Sequence, residues 1–119
     1  MRACILVVEQ DLLARETIIY QLTALGHRAI GSPTIVRGLK LLEMIEFDVM
    51  YISAGTALGG EPSYALDAKK IQPHMKVLMA AAVDLPDSYE LAVDAFIKKP
   101  FSALTLEVTL RRIYSESPI

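Results

Sequence analysis

The sequence has one cysteine, no tryptophan and little net charge, and these shortages exclude several classes of protein. The single cysteine, Cys4, excludes an internal disulfide bond and a cysteine-rich zinc site. A formal charge of −2 gives no electrostatic reason to expect that this domain binds nucleic acid. No stretch approaches the ~20 apolar residues of a membrane helix, and the N-terminal apolar run is too short for a signal peptide. We therefore expect a soluble, cytoplasmic protein.

The composition is that of a globular domain. Hydrophobic residues make up 53% of the 119 residues and charged residues 22%, whereas a disordered chain has fewer apolar residues and more net charge. A chain of this length buries roughly two thirds of the surface that it exposes when unfolded, which is enough for a core of its own. We expect one domain over residues 1–119, with 115–119 as a tail or the start of a linker.

Strand-like and helix-like segments alternate along the whole chain. Short apolar runs bounded by polar residues predict buried strands at residues 3–8, 28–31, 48–53, 76–81 and 94–98. A predicted helix follows each strand; the third is expected to begin at Tyr64, after a glycine-rich loop over 54–63. Five such units joined by right-handed crossovers predict an α/β fold, with a parallel sheet covered by helices on both faces.

The polar residues that follow the predicted strands mark the candidate site. Ligands of open parallel sheets bind outside the carboxyl ends of the strands. Those ends carry Glu9 and Gln10 after the first strand and Ser53 after the third. Ala81 follows the fourth strand and Lys99 follows the fifth. We expect these five side chains to lie together at one edge of the sheet.

Three segments of the chain resemble the signature segments of the receiver (CheY-like) domain of two-component response regulators. They are ILVVEQD at residues 5–11, FDVMYIS at 47–53 and FIKKPF at 96–101. Their spacing, 53−9 = 44 and 99−53 = 46 residues, also agrees with that family. The resemblance implies a flavodoxin-like (βα)5 sandwich with strand order 2-1-3-4-5, a role in phosphorelay signal transduction and a cis peptide bond before Pro100.

The resemblance also assigns a role to each residue of the candidate site. In the family, two acidic residues after strand one hold magnesium, and an aspartate after strand three accepts the phosphoryl group. A hydroxyl after strand four and a lysine after strand five hold the phosphoryl oxygens. Glu9 and Lys99 match this pattern, whereas Gln10, Ser53 and Ala81 depart from it. The departures imply a pseudo-receiver that is not phosphorylated, binds magnesium weakly or not at all, and is not an enzyme.

Several alternatives remain open at this point. Asp48 as the acceptor would lie five residues upstream of Ser53, about 16 Å away at ~3.3 Å per residue. The chain could be a phosphorelay receiver with unorthodox chemistry, or a small flavodoxin-like protein that binds a nucleotide or flavin. Gly59 and Gly60 favour a plain loop over a phosphate cradle, because no dinucleotide or Walker pattern surrounds them. Lys99 is expected to pair with Glu9 rather than bind an anion.

The C-terminal third predicts a contact surface. Residues 81–99 form a shorter connection than is usual in the family, so the fourth helix, expected over 86–93, should be short or distorted. Phe96 occupies the position of the family's switch aromatic, but Ala81 lacks the hydroxyl that works with it. The last helix has more apolar residues than one buried stripe needs: Leu104, Leu106, Val108, Leu110 and Ile113. We expect self-association or a protein partner on the face formed by helix four, strand five and the last helix.

Overall fold

The fold is built around a parallel sheet of five strands in the order β2-β1-β3-β4-β5, as the resemblance predicts. The computed structural model describes residues 2–54, 61–89 and 92–115. The strands are β1 (Cys4–Val8), β2 (Arg28–Ser32), β3 (Val49–Ser53), β4 (Lys76–Ala81) and β5 (Ala95–Lys98). Because β1, β3 and β4 are interior strands, both faces of each need a cover, which explains their nearly unbroken apolar sequences.

Four α-helices connect or follow the strands. They are α1 (Leu12–Ala24), α2 (Ile35–Leu42), α3 (Glu61–Ile71) and α4 (Ala103–Ser115). The side chain of Asp11 caps α1 by accepting the amide proton of Ala14 at 2.8 Å. No helix among the described residues is long and apolar enough to cross a membrane.

Two apolar cores lie on opposite faces of the sheet. Side chains of a strand alternate between its faces, so neighbours in β1 enter different cores: Leu6 packs with α2 and α3, and Ile5 packs with α1 and α4. Met50 and Tyr51 in β3 divide in the same way. The result is a sandwich of three layers that fixes the carboxyl ends of β1, β3, β4 and β5 along one edge.

The structure corrects one sequence-based prediction for the third connection and confirms one for the fourth. The prediction of a loop over 54–63 is wrong at its end, because α3 begins at Glu61, three residues before Tyr64. A proline is tolerated in a first helical turn, whose amides have no partner within the helix, so Pro62 does not delay the start. The predicted shortened fourth helix is confirmed: the described part of the fourth connection contains only a 3-10 turn, Asp87–Tyr89. Gly59 and Gly60 lie outside the described residues.

One glutamine ties two connections together on the α2–α3 side of the sheet. The amide nitrogen of Gln72 donates to the carbonyl oxygens of Leu42 at 2.8 Å and Ile45 at 2.6 Å. Its amide oxygen accepts the proton of the Phe47 amide at 2.8 Å. The side chain thus satisfies backbone groups at the last residue of α2 and in the segment that leads from α2 to β3.

We predict that Gln72→Leu lowers the free energy of unfolding by about 2–4 kcal/mol, because partly buried backbone groups lose their partners. Urea unfolding followed by circular dichroism measures this change. The matched control is Gln10→Leu, since the side chain of Gln10 is exposed. Equal unfolding midpoints for the two variants would contradict the role given to Gln72.

Candidate functional site

The structure brings Glu9, Ser53 and Lys99 into direct contact at the carboxyl edge of the sheet. The Lys99 ammonium nitrogen lies 3.6 Å from Glu9 Oε1 and donates a hydrogen bond to the Ser53 hydroxyl oxygen. The Glu9 side chain is only 10% exposed and the Lys99 side chain 29%. A carboxylate with so little access to water needs a cationic partner, and Lys99 supplies it. The expected pairing of Lys99 with Glu9 is present.

The second oxygen of the Glu9 carboxylate is also occupied. Glu9 Oε2 accepts the amide proton of Asp11 at 3.1 Å, while the amide of Glu9 donates to the carbonyl oxygen of Ser32 at 3.0 Å. The Asp11 carboxylate itself caps α1. Both acidic side chains of the β1–α1 loop therefore have partners within the chain, and Asp11 acts as a helix cap.

Arg15 fixes the same loop from the side, a role that the sequence analysis did not identify. Its guanidinium donates to the carbonyl oxygens of Glu9 at 2.8 Å and Gln10 at 3.5 Å. The aliphatic part of Arg15 crosses β2 at Gly31, where an added Cβ would lie 3.0 Å from Arg15 Cδ and 2.8 Å from Ile19 Cδ1. A glycine in β2 and an arginine one turn into α1 are the signals for this contact in the sequence.

Two alanines lie at the ends of β3 and β4 at this edge: Ala54 follows β3, and Ala81 is the last residue of β4. Ala81 is fully buried, and its carbonyl oxygen accepts the amide proton of Lys99 at 2.8 Å. Ala54, which follows Ser53, is also buried and belongs to the same apolar cluster as Ala81 and Tyr89. The peptide bond between Lys99 and Pro100 is cis, as the resemblance implied.

The residues of the site do not fit magnesium. A magnesium ion requires several oxygen ligands in octahedral geometry, and carboxylates supply the charge that holds it. Glu9 is the one carboxylate of the five predicted positions, and both of its oxygens have partners. Gln10 is neutral and exposed. Among the described residues, no group of three histidine, cysteine or acidic side chains is placed to hold a metal ion.

The amino end of the sheet, opposite this edge, holds Asp48, His27 and Cys4. Asp48 is at the opposite end of β3, where its carboxylate accepts the amide proton of Cys4 at 2.8 Å. His27 is buried at that same end, and its Nδ1 accepts the amide proton of Ala3 at 3.1 Å. Burial raises the pKa of the Cys4 thiol, which disfavours the reactive thiolate. Phe96 is half-buried against the core that contains Ala81.

Tyr51 adds a further constraint beneath the ion pair. Burial and the nearby Glu9 carboxylate both raise the pKa of its phenol, so Tyr51 stays neutral at physiological pH. Its ring packs edge-on against Phe101 with 6.4 Å between the ring centroids. The floor of the site is thus a packed aromatic pair, which limits how far Lys99 and the loop that follows it can shift.

We predict that Lys99→Met lowers the free energy of unfolding by about 1–3 kcal/mol, because it leaves the Glu9 carboxylate buried without a cation. The double variant Glu9→Gln with Lys99→Met should recover part of that loss, since it removes the unpaired charge. Chemical denaturation of the wild type, both single variants and the double variant gives the coupling energy. A coupling below about 0.5 kcal/mol would show that the pair is not an energetic unit.

Solved structures share the fold of this chain over nearly its whole length. A response regulator receiver domain (CheY-like) from Methylobacillus flagellatus has a TM-score of 0.84 and 20% identity, covering 95% of this chain and 99% of that one. A CheY-like receiver domain protein from Methanospirillum hungatei JF-1 has a TM-score of 0.85 and 21% identity, covering 98% and 97%. No protein-family model matches the chain, and no curated protein matches it significantly.

A third structure is the response regulator protein TrrA from Thermotoga maritima, solved in complex with Mg²⁺ and BeF. Its TM-score is 0.82 with 20% identity, covering 95% of this chain and 99% of that one. At these identities the agreement establishes the architecture, while the site must be judged on its own residues. The chain has the CheY-like fold of response-regulator receiver domains.

Proposed function

We propose that this chain is a receiver-like module of two-component signal transduction that acts by protein–protein contact and is not phosphorylated. The observation that carries the proposal is the position of the Lys99 ammonium group, which contacts both Glu9 and Ser53. In the receiver family, the positive charge of this lysine holds the phosphoryl oxygens. Here the charge of Lys99 is already neutralised by Glu9 within the chain. A cytoplasmic location and the absence of enzymatic activity are part of this proposal.

The chemistry of phosphoryl transfer argues against Ser53 as an acceptor. A serine hydroxyl is a weak nucleophile unless a neighbouring base removes its proton. Here the Ser53 oxygen accepts a hydrogen bond from an ammonium group that is itself paired with a carboxylate. The transferred group also needs cations and hydrogen-bond donors around its oxygens, and Ala81 offers no side-chain donor. Among the described residues, the site has no base beside Ser53, no set of metal ligands and no side-chain hydroxyl at position 81.

Two other functions are weaker candidates. A phosphorelay receiver with unorthodox chemistry would need a nucleophile that Ser53 does not provide. A nucleotide- or flavin-binding protein of the same architecture would bind phosphate groups at the carboxyl edge through backbone amides. The sequence has no motif for such a cradle. Two simple observations on the purified protein separate these candidates from the proposal. The proposal expects that the protein gains no phosphoryl group from a phosphodonor and that it is colourless.

We predict that the wild-type chain gains no mass when it is incubated with magnesium and acetyl phosphate, as measured by intact mass spectrometry. The matched positive variant combines Gln10→Asp, Ser53→Asp and Ala81→Thr, which restores the three altered positions. That variant should gain one phosphoryl group, because it regains the metal ligand, the nucleophile and the oxygen-binding hydroxyl. A stoichiometric gain on the wild type, lost in Ser53→Ala, would overturn the proposal.

The proposed contact surface is the α4–β5 face, formed by the outer side of α4, by β5 and by the 3-10 turn. The apolar residues of α4 divide between the core and this face. Leu104 is 69% exposed and Val108 57%, one helical turn apart, whereas Leu106 and Leu110 are buried. A cleft of about 300 Å³ is lined by the turn and by Ala95 and Phe96 of β5. Exposed apolar area of this kind is typical of a protein interface.

We predict that the chain self-associates through the α4–β5 face and that Leu104→Gln with Val108→Gln weakens the association. Sedimentation velocity over a concentration series measures the dissociation constant. The matched control is Val36→Gln on α2, which is 62% exposed on another side of the molecule. A wild-type chain that remains monomeric at every concentration, or equal effects of the two variants, would contradict this assignment of the interface.

A further inference from the structure

A cleft of about 450 Å³ runs along one side of α1 and reaches the carboxyl edge of the sheet. One wall of this α1 cleft belongs to the helix itself, and the other contains Pro100 and Phe101 of the segment that follows β5. At the carboxyl edge the cleft is bounded by Glu9 and Lys99. Its volume lies within the range of small-molecule sites, and the proposed function does not use it.

The helix wall of the α1 cleft has polar ends and an apolar middle. Asp11 lies at one end and Gln21 at the other, and Ala14 and Ile18 lie between them at helical spacing. The two ends are 21−11 = 10 residues apart, which is about 15 Å along the helix at ~1.5 Å per residue. The α1 cleft therefore suits an elongated molecule with an apolar body and two polar ends.

The floor of the α1 cleft contains the phenol of Tyr51, which is only 1% exposed. Among the described residues its hydroxyl has no hydrogen-bond partner, although such a group can both donate and accept. Because the Glu9 carboxylate contributes to the raised pKa of this phenol, the hydroxyl lies toward the Glu9 end of the cleft. That end thus offers a neutral hydrogen-bonding group as well as charged ones.

The charges at the Asp11 end favour a cation. The lining there carries the carboxylates of Glu9 and Asp11 and the ammonium group of Lys99, which is paired with Glu9. The Asp11 carboxylate caps α1, and within the described part of the chain no cation pairs with it. The partial positive charge of the helix N-terminus offsets only about half of its charge. A protonated amine is therefore favoured at this end, and a carboxylate or phosphate is repelled.

The Gln21 end has an acceptor that lacks a donor. Gln21 Oε1 is buried and has no hydrogen-bond partner among the described residues. A buried polar atom without a partner is costly, and a rotation of the amide toward the α1 cleft brings it within reach of a bound molecule. A hydroxyl group on that molecule both donates and accepts, so it satisfies either atom of the amide.

We propose that the α1 cleft binds a small aromatic amine, with its protonated amine beside Asp11, its ring against Ile18 and Phe101, and a hydroxyl group at Gln21. This site is separate from the α4–β5 face, so the inference goes beyond the proposed function and does not depend on it. Tyramine is the probe, because it carries an amine, a ring and a hydroxyl group in this order.

Titration of the 15N-labelled full chain with tyramine, followed by two-dimensional NMR, measures the affinity and locates the site. We expect a dissociation constant on the order of 1 mM, which is ordinary for a molecule of this size. The shifts of backbone amides should centre on Ala14, Ile18 and Phe101.

Three compounds with the same ring separate the contributions of the two ends. 2-Phenylethylamine lacks the hydroxyl group, tyrosol has a neutral hydroxyl in place of the amine, and 3-(4-hydroxyphenyl)propanoate has a carboxylate there. Tyramine should bind at least about threefold tighter than 2-phenylethylamine, which loses a hydrogen bond, and than tyrosol, which loses a charge interaction. The carboxylate should bind most weakly.

Two substitutions should remove these preferences one at a time. Asp11→Asn keeps a good helix cap but removes the charge, so it should abolish the preference for tyramine over tyrosol. Gln21→Met keeps the length of the side chain but removes the amide, so it should abolish the preference for tyramine over 2-phenylethylamine. Each variant is the control for the other, because each should leave the other preference unchanged.

A third substitution tests the position of the ring. Thr17 lines the α1 cleft from an exposed position of the helix, so Thr17→Phe should fill the cleft and abolish saturable binding of tyramine. The matched control is Thr23→Phe, at an exposed position of α1 outside the lining, which should bind tyramine as the wild type does.

Three results would show that the inference is wrong: no saturable shifts with tyramine, shifts centred on another part of the chain, or equal affinity for tyramine and the carboxylate. The proposed function would stand in each case, because it depends on Ser53 and on the α4–β5 face.

Discussion

The carboxyl edge of the sheet depends on one cation, the ammonium group of Lys99 between Glu9 and Ser53. A carboxylate that is 10% exposed would carry a large desolvation cost without it. The contact joins the ends of β1, β3 and β5, so the strand order and the charge arrangement support each other. In a receiver with an aspartate and a metal ion at this edge, the lysine would face a phosphoryl group. Here it contacts the Glu9 carboxylate and the Ser53 hydroxyl.

Other bonds hold the loop between β1 and α1 next to this contact. The guanidinium of Arg15 occupies the carbonyl oxygens of Glu9 and Gln10, and Gly31 leaves room for its side chain. The Asp11 amide holds the second oxygen of Glu9. Both oxygens of the Glu9 carboxylate and the carbonyl oxygens of Glu9 and Gln10 therefore have partners from the chain.

The parts of this structure that the sequence predicts are those set by side-chain periodicity and charge. The alternating apolar runs predict the five strands, and the need to pair a buried lysine predicts the contact of Lys99 with Glu9. The strand order came from the resemblance rather than from periodicity. Arg15 and Gln72 were not predicted as structural residues because both bind backbone groups, which leave no pattern of complementary side chains. The start of α3 at Glu61 was missed because glycine and proline upstream resemble a longer loop.

The candidate site and the α4–β5 face meet near Ala81, whose side chain has no hydroxyl. Register pairs Ala81 with Lys98 and Met79 with Phe96, so Ala81 lies two residues along the ladder from the partner of Phe96. Because residue 81 is alanine, its side chain cannot form a hydrogen bond that would couple a change at the site to the position of Phe96. On the proposed function, the shape of the face is therefore constant. Association at such a face responds to the concentration of the chain and its partners, because no chemical event at Ser53 alters the surface that they meet.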